Sequence, residues 1–270
     1  MSDRYCVIGN PIAHSRSPEI HAAFAAQTGQ QLSYERVLAP LDGFAATVHG
    51  LVAAGYRGAN VTVPFKLEAA QLATRLSERA RAAGAVNTLQ FIDGEIIGDN
   101  TDGPGLVADI VRNAGVALAG KRVLLLGAGG AARGVMLPIL AEGPQEIVIA
   151  NRTVATAAAL AAQFAGHGGA VGARGFAEVE GAFDVVINAT SASLADDLPP
   201  VPASVFRPGT LALDMMYANK PTRFMEFAAA HGAMTRDGLG MLVEQAAEAF
   251  AIWRGVRPET AALLQAMRPQ

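Results

Sequence analysis

Two residues in the first half of the chain have the types needed to move a proton at a carbonyl. Lys66 ends the segment Asn-Val-Thr-Val-Pro-Phe-Lys (60–66), and Asp102 lies in Gly-Asp-Asn-Thr-Asp-Gly (98–103). Adding a hydride to a carbonyl creates an alkoxide that must be protonated. A lysine, with an ordinary pKa of about 10.4, is charged at neutral pH, so it can polarise the carbonyl and then donate. Asp102 would hold the ammonium and hydrogen-bond the reacting hydroxyl. Alternation places Asn60 and Thr62 on one face of a strand and Val61 and Val63 on the other. Pro64 closes that strand and launches a helix, leaving Lys66 in the first turn, where a cation is electrostatically unfavourable and needs another reason to be present. On residue types alone, the pair reads equally well as a surface salt bridge worth about 0–1 kcal/mol.

Two further polar segments interrupt the same Ala-rich half: Gly-Asn-Pro-Ile-Ala-His-Ser-Arg-Ser-Pro (9–18) and Gly-Ala-Val-Asn-Thr (84–88). Ser17 before Pro18 reads as a helix N-cap with proline at the first helical position. Capping does not explain Ser15, and an exposed helix start is a natural seat for a carboxylate. His14 has no visible partner and reads as a structural loop histidine.

A second kind of chemistry begins at Val-Leu-Leu-Leu (123–126), which runs into Gly127-Ala128-Gly129-Gly130-Ala131-Ala132 and a helical segment over 133–140. Strand, glycine turn and helix form the setting in which a Gly-x-Gly-x-x-Gly/Ala pattern signals a dinucleotide. Gly127 permits the tight turn, Gly129 admits a pyrophosphate, Ala132 lets helix and strand approach, and the helix start offers N–H donors. The next strand ends in Asn151-Arg152-Thr153, about 24 residues after Gly127, where an NAD site usually carries an acid and an arginine suits a 2′-phosphate. The acid is absent and Arg152 present, so the residues point to NADP; otherwise Arg152 is a solvated surface arginine. Asn-Ala-Thr-Ser (188–191) closes another strand, either as ligand contacts or as a simple loop entry.

These residues need an α/β frame, and strand-like and helix-like segments alternate along almost the whole chain. Strands are expected at 5–8, 33–38, 58–63, 123–126, Glu146–Ala150, 184–188 and 211–215, with a hairpin over 86–97 turning at Asp93-Gly94. Helices are expected at 18–27, 41–54, 66–83, 106–113, 133–140, 154–164, 222–230, 240–255 and 258–267. The last two are expected to return to the first domain.

With 270 residues, 51% of them hydrophobic, the chain can bury a large core and is expected to form two domains. Its net charge of −3 carries no electrostatic footprint for nucleic acid or an anionic membrane. One cysteine, Cys6, excludes an internal disulfide framework and reads as a buried thiol. No apolar run approaches a membrane span, and the start Met-Ser-Asp-Arg lacks an apolar signal region, so a cytoplasmic enzyme is expected.

Taken together, the segments at 9–18, 60–66, 84–88, 98–103, 127–134, 151–153 and 188–191, continued by Asp-Met-Met-Tyr (214–217) and Gly-Leu-Gly-Met-Leu-Val-Glu-Gln-Ala-Ala (238–247), resemble the shikimate dehydrogenase family, in order and over nearly the whole chain. The resemblance implies reversible NADPH-dependent reduction of 3-dehydroshikimate to shikimate, in the chorismate route to aromatic amino acids. It implies two α/β domains flanking a cleft, residues 1–102 plus 238–270 binding substrate and 103–237 forming a Rossmann-type doubly wound parallel sheet. By similarity, Ser15 and Ser17 would hold the substrate carboxylate, and Thr62, Asn87, Asp102, Tyr217 and Gln245 its hydroxyls. Lys66 would be the general acid in reduction and the base in oxidation, beside Asp102. Gly127, Ala128, Gly129, Gly130 and Ala131 would bind the pyrophosphate, Asn151, Arg152 and Thr153 the 2′-phosphate, and Met215 and Gly238 would line the nicotinamide pocket.

The chain departs from the family pattern in three places. No second basic residue follows within 154–156, which rests 2′-phosphate recognition on Arg152. Ser193 stands where a glycine is usual, so a positive φ there would reshape the loop. The run 218–223 lacks a common Thr-Pro pair. Two alternatives remain open at this stage: an NAD-using quinate/shikimate dehydrogenase and a non-catalytic NADP-binding paralogue. Monomer and homodimer are equally compatible with the sequence.

Overall fold

The computed structural model describes residues 2–218 and 220–268; Asn219, within the unusual run after Tyr217, lies outside the described residues. The chain divides into two compact units, Met1–Gly105 with Val243–Arg268, and Leu106–Leu242. The divisions fall a few residues beyond the expected 102 and 238, because each boundary lies inside a continuous helix.

The first unit contains β1 (Asp3–Gly9), α1 (Ser17–Thr28), β2 (Leu32–Leu38), α2 (Phe44–Ala53), β3 (Tyr56–Val61), α3 (Lys66–Leu72), β4 (Arg75–Leu76), α4 (Glu78–Ala83), β5 (Thr88–Ile92) and β6 (Glu95–Asp99). Its sheet has the order β2-β1-β3-β5-β6-β4 and is mixed: β1 runs parallel to β2 and β3, and β5 is antiparallel to both its neighbours. The hairpin turns where expected, with Asp93 and Gly94 both at positive φ (49° and 81°) as a type I′ turn requires. Ile8, Phe44, Val48, Val61, Phe65 and Leu89 form one core cluster, each such side chain stabilising by about 1.5–3 kcal/mol. Phe65 stacks on Phe44 at 4.9 Å, which fixes the backbone one residue before Lys66.

The expected helix over 66–83 is not continuous. The chain leaves helix at Ala73, pairs Arg75 and Leu76 with β6, and re-enters helix at Ser77, whose hydroxyl accepts from the Ala80 N–H at 3.1 Å. A good side-chain cap and a strand partner outweigh the helical propensity of the intervening residues. Ser17 also differs from expectation. The cap position belongs to Arg16, with no side-chain cap bond, and Ser17 is already helical, so its hydroxyl is not used for capping.

The second unit contains α5 (Asp102–Ala108, shared across the boundary and continued by a π-helical turn, Asp109–Asn113), β7 (Arg122–Leu126), α6 (Gly130–Ala141), β8 (Glu146–Ala150), α7 (Val154–Gln163), β9 (Ala170–Arg174), β10 (Val185–Asn188), β11 (Leu211–Asp214), α8 (Arg223–Ala230) and β12 (Met234–Arg236). Its sheet is parallel throughout, ordered β12-β11-β10-β7-β8-β9, the doubly wound arrangement in which the order reverses between β7 and β10. Ligands bind such sheets outside the carboxyl ends of the strands at that switch point. Strands β9 and β12 are not among the expected strands; both lie at sheet edges, β9 interrupted by Gly172 and β12 only three residues long.

Two helices follow, α9 (Leu239–Arg254) and α10 (Ala261–Met267). The far end of α9 is anchored in the first unit: Trp253 stacks on Tyr5 at 4.6 Å and donates to the Leu89 carbonyl at 3.0 Å. Gly58 accommodates that indole, since a Cβ there would lie 2.6 Å from Trp253 Nε1. Among the described residues no helix is long and apolar enough to cross a membrane. Cys6 is fully buried, and burial pushes its thiol well above the ordinary range, as an inert structural thiol requires.

Candidate active site

In the first unit, β3, α3, the start of β5 and the residues after β6 bring the predicted chemistry together. Lys66 Nζ lies 2.6 Å from Asp102 Oδ2, with the two side chains 32% and 19% exposed. The other oxygen, Asp102 Oδ1, accepts from Asn87 Nδ2 at 2.9 Å. Asn87 is itself oriented: its Oδ1 accepts from the Thr101 N–H at 2.8 Å and from the Thr88 hydroxyl at 3.0 Å, which turns the amide nitrogen toward the carboxylate. Thr88 and Thr101 are almost completely buried, so neither hydroxyl competes for water. The sequence reading missed these two positioning threonines, although each adjoins a predicted site residue.

Gln245 reaches this cluster from α9, its Oε1 lying 3.4 Å from both Asn87 Nδ2 and Thr101 Oγ1. Gly105 makes that approach possible, since a Cβ there would lie 2.7 Å from the Gln245 backbone nitrogen. Asn60 supports this group from behind rather than bonding Lys66 or Asp102. Its amide donates to the Asn87 carbonyl at 3.2 Å and the Thr88 hydroxyl at 3.1 Å, and its oxygen accepts from the Tyr34 hydroxyl at 2.7 Å. Thr62, half-buried beyond β3, makes no side-chain hydrogen bond among the described residues. Ser15 and Ser17 form a hydroxyl pair at 3.2 Å at the start of α1. His14 is exposed.

In the second unit, Gly127 has φ +100°, a value disfavoured for other residues, and packs against the chain leaving β10: a Cβ would lie 3.2 Å from the Ala189 carbonyl and from Thr190. Nothing lies within 4 Å of a Cβ built at Gly129 or Gly130, and both residues are exposed, as is Ala131 at the start of α6, while Ala128 is buried. The turn thus leaves open backbone at a helix start, the geometry a pyrophosphate needs. Arg152 is exposed and has no ion pair among the described residues; Asn151 donates to the Thr153 carbonyl at 3.0 Å. Arg174 ends β9, its carbonyl accepting the Asn151 N–H at 3.1 Å, so a second exposed guanidinium belongs to the neighbouring strand. That cation is 22 residues from Arg152 in sequence, outside the 154–156 stretch that follows the Asn-Arg-Thr motif.

Gly238 lies directly on the chain after β11. Its N–H donates to the Met216 carbonyl at 2.9 Å, and a Cβ there would collide with the Met215 carbonyl. Tyr217 is 37% exposed. Ser193 does not take a positive φ: it sits in a 3₁₀ turn, Ala192–Ala195, and the left-handed residue is Asp196 at φ 52°. The serine is therefore accommodated without backbone strain.

Family models match in chain order: the shikimate dehydrogenase substrate binding domain at residues 7–89, shikimate/quinate 5-dehydrogenase at 109–195, and the shikimate 5′-dehydrogenase C-terminal domain at 238–268. A shikimate dehydrogenase (NADP(+)) from Janthinobacterium sp. (strain Marseille) is 64% identical over 99% of this chain and 97% of its own length. The crystal structure of an Ael1 enzyme from Pseudomonas putida is 50% identical, covering 100% of this chain and 99% of the other, with a TM-score of 0.96. A shikimate 5-dehydrogenase from Thermus thermophilus, solved in complex with NADP(H) and shikimate, is 34% identical over 98% of each chain, with a TM-score of 0.85. The chain belongs to the shikimate dehydrogenase family.

Proposed function

We propose that this protein is an oxidoreductase that reversibly reduces 3-dehydroshikimate to shikimate with NADPH, a step in aromatic amino-acid biosynthesis. Its partners are these small molecules. The carrying observation is the 2.6 Å contact between Lys66 Nζ and Asp102 Oδ2, in a setting where Asn87 holds the second carboxylate oxygen.

Bound NADPH supplies the hydride. Lys66 polarises the ketone and gives a proton to its oxygen as reduction proceeds, and takes that proton back in oxidation. Asp102 keeps the ammonium within reach and accepts from the substrate hydroxyl. The fixed amide of Asn87 prevents the carboxylate from rotating away, so little reorganisation is needed during the reaction. Ser15 and Ser17 hold the substrate carboxylate, and Thr62, Asn87, Tyr217 and Gln245 its hydroxyls; the half-buried Thr62 hydroxyl, with no protein side-chain bond among the described residues, is free to take that place.

The glycine turn from Gly127 to Ala131 fits a pyrophosphate by its open backbone, and the exposed Arg152, without an ion pair among the described residues, fits a 2′-phosphate, with Asn151 and Thr153 shaping its loop. Met215 and Gly238, packed on one another, would line the nicotinamide pocket.

Steady-state rates with NADPH and NADH, on 3-dehydroshikimate or shikimate and on quinate, test the assignment. The largest kcat/KM is expected for the NADP-linked shikimate couple. A larger value for NAD with quinate would make the protein a quinate dehydrogenase instead.

A further inference from the structure

Beyond the residues already placed at the dinucleotide, the carboxylate of Asp214 joins three chain segments at the carboxyl edge of the second sheet. Asp214 ends β11 and is fully buried. Its Oδ2 accepts from the Ser193 hydroxyl at 2.6 Å, from the Thr222 hydroxyl at 2.7 Å and from Asn188 Nδ2 at 3.2 Å. Its Oδ1 accepts from the Met216 N–H at 3.0 Å. One carboxylate therefore ties together the turn after β10, the turn after β11 and the N-cap of α8.

The turn after β10 is the one that touches the glycine turn. Ala189 donates its N–H to the Leu126 carbonyl at 2.9 Å, and Ala189 and Thr190 lie against Gly127. The turn after β11 carries Met215, on which Gly238 rests. Of the groups holding Asp214, only Ser193 comes from the 3₁₀ turn beyond Thr190. It also accepts from Asn188 Nδ2 at 3.1 Å, closing a small ring of hydrogen bonds. Further ties from that turn are the Ala192 N–H to the Thr190 hydroxyl at 3.3 Å and, at its end, the exposed ion pair Asp196–Arg223 at 3.7 Å, a weak contact in water.

We propose that Ser193 is a positioning residue for the dinucleotide: its hydroxyl, bonded to the buried Asp214, holds the turn after β10 against the Gly127 turn in the shape that accepts NADPH. The inference rests on the proposed NADPH site. A hydrogen bond to a carboxylate is among the stronger neutral–ion contacts, and without the hydroxyl the 3₁₀ turn loses its side-chain bond to the buried Asp214.

The test is fluorescence titration of NADPH into the parent enzyme and into Ser193→Ala and Ser193→Thr, with shikimate affinity measured in parallel. The parent should bind NADPH; if it does not, the proposed cofactor site itself is wrong. Given parental binding, Ser193→Ala should raise the NADPH Kd by about fivefold or more, with the shikimate Kd unchanged. Ser193→Thr, which keeps the hydroxyl, should stay within about twofold of the parent. The proposal is overturned if Ser193→Ala binds NADPH like the parent, if shikimate affinity falls in step, or if Ser193→Thr loses as much as Ser193→Ala.

Discussion

The carboxylate of Asp102 is shared between Lys66 and Asn87, Oδ2 to the ammonium at 2.6 Å and Oδ1 to the amide at 2.9 Å. One partner is a charge that can lose a proton, while the other is a neutral donor that cannot. The carboxylate therefore stays anchored through Asn87 whether Lys66 is charged or neutral, as the proposed alternation of Lys66 between acid and base would require.

Removing the ammonium should then cost turnover rather than binding. Lys66→Ala is expected to lower kcat by about 10²- to 10⁴-fold with a much smaller change in KM, because the proton is needed only as charge develops on oxygen. Steady-state kinetics in both directions check this; an undiminished kcat rejects Lys66 as the acid.

Among the described residues Arg152 has no carboxylate partner to release on substitution, so its loss should act on the cofactor alone. Arg152→Ala is expected to raise the KM for NADPH by about tenfold or more and to leave that for NADH nearly unchanged. Equal losses with both cofactors would mean that the guanidinium does not read the 2′-phosphate.

Gly105 separates a substrate effect from a cofactor effect. A methyl there presses on the backbone of Gln245 at 2.7 Å, and relieving it must shift α9 away from Asn87. Gly105→Ala is expected to cost about 1–3 kcal/mol of stability and to raise the shikimate KM. Isothermal titration with NADP should give an affinity like the parent's, and a selective loss there would contradict this account.

His21 gives the fold an acid limit. It is fully buried and stacked on Tyr34 at 4.2 Å, and neither ring nitrogen has a hydrogen-bond partner. Burial lowers its pKa from 6.5 to about 3; nearby Asn60 opposes the shift only in part and bonds neither ring nitrogen. Below pH 6.5 the unfolded chain takes up a proton that the folded chain refuses, so this contribution is intact above that value and lost progressively toward pH 3. By pH 5 the loss is about 2 kcal/mol. Urea unfolding at pH 7.5 and pH 5 should show this extra sensitivity, and His21→Phe should remove it; identical pH dependence in the two proteins would refute it.

Much of this was legible in residue order. The Asp93-Gly94 hairpin, the Gly127 turn and the parallel β7–β8 unit each follow from local chemistry: positive φ, apolar runs and a helix start. The break within 66–83 was signalled by Ser77 but masked by the helix-forming residues around it, and its reason is the pairing of β4 with β6. Strands β9 and β12 are made by their neighbours rather than by their own sequence. Ser15, Asn87 and Gln245 could be placed in one site only through the family resemblance, because pairings at long separation leave no periodic trace. Thr88, Thr101 and Asp214 stand inside the quoted motifs, but their roles were not legible there because their work is to orient other polar groups.

Arg36 has a consequence for how the acid substrate responds to its medium. Its guanidinium is committed to the Ser15 carbonyl, at 2.8 and 2.5 Å, and to Glu19 at 2.7 Å, while Arg16 reaches the Met267 carbonyl. In the proposed site the serine pair would therefore hold the substrate carboxylate mainly through neutral hydroxyls. Neutral recognition is little affected by screening. Added salt should erode the grip on the nucleotide phosphates well before it loosens the carboxylate, so ionic strength alone can set the two affinities apart.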